Sequence, residues 1–478
     1  MKSDTNRNKS GVAWSAIERF GIQGSQFVVT MLLARTLLPA DYGMIAMLTI
    51  FFALSTALID SGMSQALIQR QNRSDADLTT ALVFNMAVAV VIYGILYICA
   101  PFIAQFYNTP ELCWVSRIYL LVLVINSLGV VQQALITIEL NFKQQAIASF
   151  TGIVCGGGVA LTMAHRGYGV WSLVAQQITS DTIRTSILWI ISKWRPTNKF
   201  SWQSFKELAN FGSKIVASGL LHVLYVNLYP LIIGRHFAPS QLGLFNRATT
   251  IGALPSSNIS TIVDRALYPI LCSKQGDCND AVNTLHKYLG VVCFAVFPTM
   301  VGLSILAKPT VMILLGERWL GVVPLLQIIA IAYMWDPIMK FMGSIIKSQG
   351  DSSSYLRAEV LKKISGVTIL FTTIPFGIEV MAGGLILYAI CDMAIVILFA
   401  RRCDNRLGYR TITKIIAPTL LITAIMGSAM WFTLEMMEGL STLLQLMVAG
   451  GVGLITYLGI ATAANRPEAR QLLKLIKK

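Results

Sequence analysis

Apolar runs long enough to cross a bilayer dominate the chain, separated by short polar gaps. A spanning helix needs about 20 predominantly apolar residues. On that rule the pattern predicts fourteen spans: 11–37, 42–64, 78–103, 113–137, 146–164, 168–192, 210–234, 246–272, 287–307, 320–346, 355–376, 381–400, 412–434 and 440–464. The run 246–272 is rich in Ser, Thr and Asn, and 320–346 carries Asp336, Pro337 and Lys340. In the first run Ser15, Arg19, Gln23, Gln26 and Thr30 recur at helical spacing, which gives that helix one polar face.

The exit from the first run comes back halfway along the chain. LARTLLPADYG (33–43) is echoed by IGRHFAPSQLG (233–243), with Arg, Pro and Gly at the same spacing. A weaker echo of the polar stripe, Lys214, Ser218, His222, Tyr225 and Tyr229, lies one residue out of register with it. Spans 1–6 then pair with 7–12 as parallel repeats about an axis along the membrane normal, with 13 and 14 left over. The expected organisation is an N-lobe (1–192), a cytoplasmic linker (193–209), a C-lobe (210–400), and two extra spans with a basic tail (401–478).

Composition agrees with an all-α polytopic membrane protein. Hydrophobic residues make up 55% of the chain and charged residues 13%, against about 25% charged in an ordinary globular domain. The first run exceeds a signal-peptide core and another follows at once, so it reads as a retained helix. The net charge of +15 would suggest nucleic acid in a soluble protein. Here the basic residues crowd alternate short loops, at about four to one, which sets both termini in the cytoplasm. The eight Cys and four His are scattered without metal-ligand spacing, and no metal or cofactor is expected. Nor is there a phosphate-binding G-x-x-x-x-G-K-[ST] loop or a loop large enough for a catalytic domain, so the reading is not an enzyme.

Charges inside the membrane are costly and mark function. The candidates for a substrate cavity are Arg19, Gln23, Gln26, Lys214, His222, Arg247, Asn258 and Arg265, and those for ion coupling are Asp60, Asp264 and Asp336. Beside each stands a plainer role. Arg117, Lys214 and Arg247 lie near predicted span ends, where they can snorkel. Asp181–Arg184 and Asp336–Lys340 have the spacing of self-neutralised pairs. Asp60 and Asp264 close corresponding spans and suit helix-end capping. Lys362 and Lys363 read as interfacial, and Gly156–Gly157–Gly158 as close helix packing.

The segments LARTLLPADYGMIAM (33–47) and FFALSTALIDSGMSQALIQ (51–69), with the six-plus-six span plan, resemble the polysaccharide-export flippases of the multidrug/oligosaccharidyl-lipid/polysaccharide exporter superfamily, nearest to its colanic-acid and capsule-type exporters. The resemblance implies two six-helix lobes around a central cavity. It also implies an undecaprenyl-pyrophosphate-linked oligosaccharide as substrate, carried across the bacterial inner membrane by alternating access with ion-gradient coupling. The extra spans 13 and 14 would hold the lipid tail, and polysaccharide assembly proteins are expected partners. A cavity rich in Arg suits a pyrophosphate. The alternatives are a multidrug cation exporter of the same fold, a membrane glycan polymerase or ligase, and a structural subunit of a glycan assembly complex.

Overall fold

The computed structural model describes residues 21–464 apart from 61–62, 71–72, 140, 197–198, 208–219, 221–222 and 275–277. Among the described residues every regular element is helical. Nine helices there are long and apolar enough to cross a membrane. Three more, over 170–191, 239–273 and 352–373, match them in length but carry polar residues along their course. The chain is a multi-pass, all-α membrane protein. Its contacts cluster into two units, Met1–Gly243 and Leu244–Lys478.

The first unit runs through α1 (Gly21–Ala34), α2 (Pro39–Asp60), α3 (Met63–Gln69), α4 (Asp75–Phe106), α5 (Leu112–Tyr119), α6 (Val122–Ile138), α7 (Phe142–His165), α8 (Val170–Ile191), α9 (202–207) and α10 (Leu228–His236). It ends inside the first turns of α11 (Pro239–Ser273). Helix α4 starts at a reciprocal cap: Ser74 accepts from the Asp77 backbone N–H while Asp77 accepts from that of Ser74. That arrangement satisfies two donors which a helix start leaves open. Two glycines let α7 lie along α8. A Cβ on Gly152 would sit 2.6 Å from the Ser180 carbonyl oxygen, and one on Gly156 would strike the Ser180 side chain. Gly157 faces Val29 of α1, whereas Gly158 faces open space. Two of the three consecutive glycines therefore serve packing.

Both copies of the repeated exit lie in this unit, and they touch. A Cβ on Gly43 would overlap the Pro239 carbonyl, and one on Gly243 would overlap that of Pro39. Each glycine is required by the proline of the other copy. The spacing Pro-x-x-x-Gly thus reports a reciprocal close approach at the starts of α2 and α11. Arg235 of the second copy donates to the Phe106 carbonyl at 2.7 Å, which ties this corner to the end of α4.

The second unit continues α11 and adds α12 (Cys278–Ile305), α13 (Ala307–Leu314), α14 (Val322–Tyr333), α15 (Asp336–Ser348), α16 (Ser352–Thr373), α17 (Ile378–Cys403), α18 (Tyr409–Met436) and α19 (Thr442–Ala463). Its core is a continuous apolar cluster drawn from α11, α12, α14, α15, α17 and α18, with Leu267, Leu285, Phe297, Phe341, Val396 and Ile412 all buried. The predicted span 320–346 is one membrane crossing made of two helices. Met334 and Trp335 separate α14 from α15, and Pro337, in the first turn of α15, cannot donate to a continuous ladder. Helices α18 and α19 form a hairpin, with Gly453 against Met430 and the Tyr457 hydroxyl donating to the Phe294 carbonyl at 2.7 Å.

Candidate functional site

The polar residues of α11 fall on distinct faces. At 100° per residue, Arg247, Asn258 and Arg265 lie within about 20° of one another around the helix. Arg247 and Asn258 are half-buried and Arg265 is exposed, so this stripe is accessible. To one side, Ser257, Thr261, Asp264 and Tyr268 face α15. To the other, Pro255 lines an apolar cavity.

The seam with α15 has a partner at each rung. Asp336, Lys340, Ser344 and Lys347 recur at helical spacing, which puts them on one face of α15. Lys340 pairs with Asp336 at 2.9 Å and donates to the Thr261 hydroxyl at 3.0 Å. Ser344 donates to the Asp264 carboxylate at 2.6 Å, and the Lys347 ammonium lies 5.4 Å from the Tyr268 ring centroid. Asp336 occupies the first turn of α15, where the helix dipole favours an anion, directly after the break in the span. Asp264 and Asp336 therefore belong to one seam. Asp60 closes α2 in the first unit and accepts from the Ser64 backbone N–H.

A second buried charge cluster lies between α16 and α17. Lys362 pairs with Glu359 at 2.6 Å and with Asp392 at 3.1 Å, and the Lys362 and Asp392 side chains are only 12% and 8% exposed. This corrects the sequence expectation for Lys362. It is an interior cation between two carboxylates, not an interfacial one, because its partner Asp392 comes from the next helix, 30 positions away in sequence. In the first unit, Arg184 pairs with Asp181 at 3.2 Å, Asn126 accepts from Arg184 at 3.0 Å, and Gln177 donates to Asp181 at 2.6 Å.

The apolar cavity of about 550 Å³ is lined from α11, α12, α18 and α19, with Pro255, Phe294, Pro298, Met430, Gly453 and Leu454 among its walls. The room left by Gly453 on α19 is taken up by the Met430 side chain, which walls the slot from α18.

Arg19, Lys214 and His222 lie outside the described residues. Gln23 and Gln26 are exposed on α1. The structure thus gathers Arg247, Asn258 and Arg265 on one stripe and Asp264 with Asp336 on one seam. Thr261, one of the polar residues of the run 246–272, turns out to be a partner of Lys340. Sequence reasoning missed Ser344, although the Asp336, Lys340, Ser344 and Lys347 spacing was a readable signal. The Lys362–Asp392 pair had none.

The fold is shared with solved transporters. A lipid II flippase MurJ in an inward closed conformation superposes with a TM-score of 0.75 at 14% identity, over 95% of this chain and 99% of that one. An inward-facing multidrug resistance MATE family transporter of the MOP superfamily gives 0.62 at 14% identity, over 84% and 99%. Among relatives, the teichuronic acid biosynthesis protein TuaB of Bacillus subtilis (strain 168) is 26% identical over 73% of each chain. The lipopolysaccharide biosynthesis protein WzxC of Escherichia coli (strain K12) is 24% identical, over 74% of this chain and 72% of that one. A family model described as "Polysaccharide biosynthesis protein" matches residues 32–324, more than half the chain, and this chain belongs to that family.

Proposed function

We propose that this protein is a flippase that moves a polyprenyl-pyrophosphate-linked oligosaccharide, the repeat unit of a surface polysaccharide, between the leaflets of the bacterial inner membrane. It works by alternating access of the lobes 1–192 and 210–400, with both termini cytoplasmic, and performs no covalent chemistry. The observation that carries this reading is the division of α11 into an accessible Arg247–Asn258–Arg265 stripe beside an apolar slot. A pyrophosphate is matched by guanidinium forks, and a prenyl chain by a slot walled with Phe, Met, Leu and Gly. Membership in a polysaccharide biosynthesis family and likeness to TuaB and WzxC supply the glycan class. Gradient coupling is assigned to the seam of Asp264 and Asp336, with Asp60 in the other unit. The drug-exporter alternative asks for an acidic face toward cationic drugs, and the accessible stripe on α11 is basic.

The test is reconstitution in liposomes with a fluorescent polyprenyl-pyrophosphate oligosaccharide. Leaflet transfer should exceed that of empty liposomes and respond to an imposed ion gradient. Transfer no faster than the empty control would end the flippase reading. Arg19→Ala should slow transfer without loss of expression, and unchanged transfer would remove Arg19 from the site.

A further inference from the structure

Arg117 sits on the first unit in surroundings that no part of the transport reading uses. Its Cζ lies 4.5 Å from the Tyr97 ring centroid and 4.9 Å from that of Trp114. Its Nε donates to the Tyr97 carbonyl at 3.4 Å, and Tyr93 donates to the Arg117 carbonyl at 3.0 Å. The surface around it is apolar and outward-facing: Trp114 is 57% exposed, Ile98 71% and Phe102 69%. Among the described residues no carboxylate pairs with Arg117.

The depth is informative. At 1.5 Å per residue, the 32 residues of α4 extend roughly 48 Å, more than the roughly 30 Å hydrocarbon core. Tyr97 lies nine positions before the last residue of α4, Phe106, hence roughly 13 Å from that end. With the surplus length divided evenly, that level is a few ångströms inside the hydrocarbon edge, within reach of a snorkelling guanidinium. A guanidinium has five N–H donors, and the Tyr97 carbonyl takes one. The two rings offer their faces to the cation and accept none of the other donors along the guanidinium edge.

We infer that Arg117, held by Tyr97 and Trp114, binds the phosphate of an anionic phospholipid in the leaflet that the C-terminal part of α4 faces. The charge, the paired donor geometry and the apolar surface for acyl chains all match that ligand. Zwitterionic lipid is the disfavoured occupant, since its headgroup cation offsets the phosphate. The site does not depend on what the protein transports.

The test uses the full chain with a benzophenone side chain at Ile118, in nanodiscs of equal phosphatidylglycerol and phosphatidylcholine containing no polyprenyl lipid. Mass spectrometry of the photo-crosslinked lipids should show phosphatidylglycerol enriched about fivefold over its share of the disc. Arg117→Gln should return the ratio to the bulk value. Arg117→Lys, which keeps the charge without the fork, should give an intermediate ratio and guards against a folding failure of the first variant. A benzophenone at Val91, elsewhere on the apolar surface of α4, should report the bulk ratio. Bulk composition at position 118 in the unsubstituted Arg117 protein, or enrichment that persists in Arg117→Gln, would overturn the proposal.

Discussion

Each unit carries an acid–base cluster along one of its long helices, and the two are built differently. In the first unit Asp181 and Arg184 lie one turn apart on α8, one acid to one base. Asn126 accepts a further bond from Arg184, and Gln177 donates to Asp181. In the second unit Lys362 stands between Glu359 on its own helix and Asp392 on α17, two acids to one base. A balanced pair on one helix stays closed however its neighbours move. A cluster shared between two helices is sensitive to their separation, and its charge is unbalanced unless a proton or cation joins it. The first is suited to holding helices in register, the second to responding.

The sharpest way to break that contrast is to remove the shared cation. Lys362→Met leaves two carboxylates in the interior and should destabilise the protein by about 3–5 kcal/mol, the usual consequence of stripping one partner from a buried pair. Thermal unfolding of the purified protein reads it, and a Tm unchanged within error would mean that Lys362 contributes no such balance. Arg184→Met should cost somewhat less, about 2–4 kcal/mol, because Gln177 still donates to Asp181. The double variant Asp181→Asn, Arg184→Met should then recover most of the loss and keep leaflet transfer. If transfer collapses while Tm recovers, the first cluster is functional as well as structural.

Smaller effects test the α11–α15 seam. Ser344→Ala deprives the Asp264 carboxylate of a donor and should cost about 1.5–3 kcal/mol, the range for hydrogen bonds to charged groups. Thr261→Val removes one acceptor from Lys340, which keeps Asp336, and should cost about 1 kcal/mol or less. Equal losses in the two variants would show that Asp264 and Lys340 are not distinguished by their partners.

Much of this arrangement was legible from side-chain periodicity. The i, i+3 and i, i+4 spacings of Asp181–Arg184 and Asp336–Lys340 announce pairs, and both form. The Pro and Gly of the repeated exit announce a special backbone site without saying what demands it. The structure supplies the reason: each glycine makes room for the carbonyl of the other copy's proline. Lys362 marks where that reasoning stops, since one turn of sequence offered it Glu359 but not Asp392.

By itself the sequence determined the membrane class, the helical runs, the repeated exit and the pairs within single helices. These depend on hydrophobicity and on a fixed helical period, which act over a few turns. Tertiary structure alone decided that Lys362 is interior, that Asp264 meets Ser344, and that an apolar slot forms beside α11. Those outcomes depend on which helices become neighbours and on how each is rotated. Lipid-facing and protein-facing positions are apolar alike, so the hydrophobic pattern carries little information about that rotation.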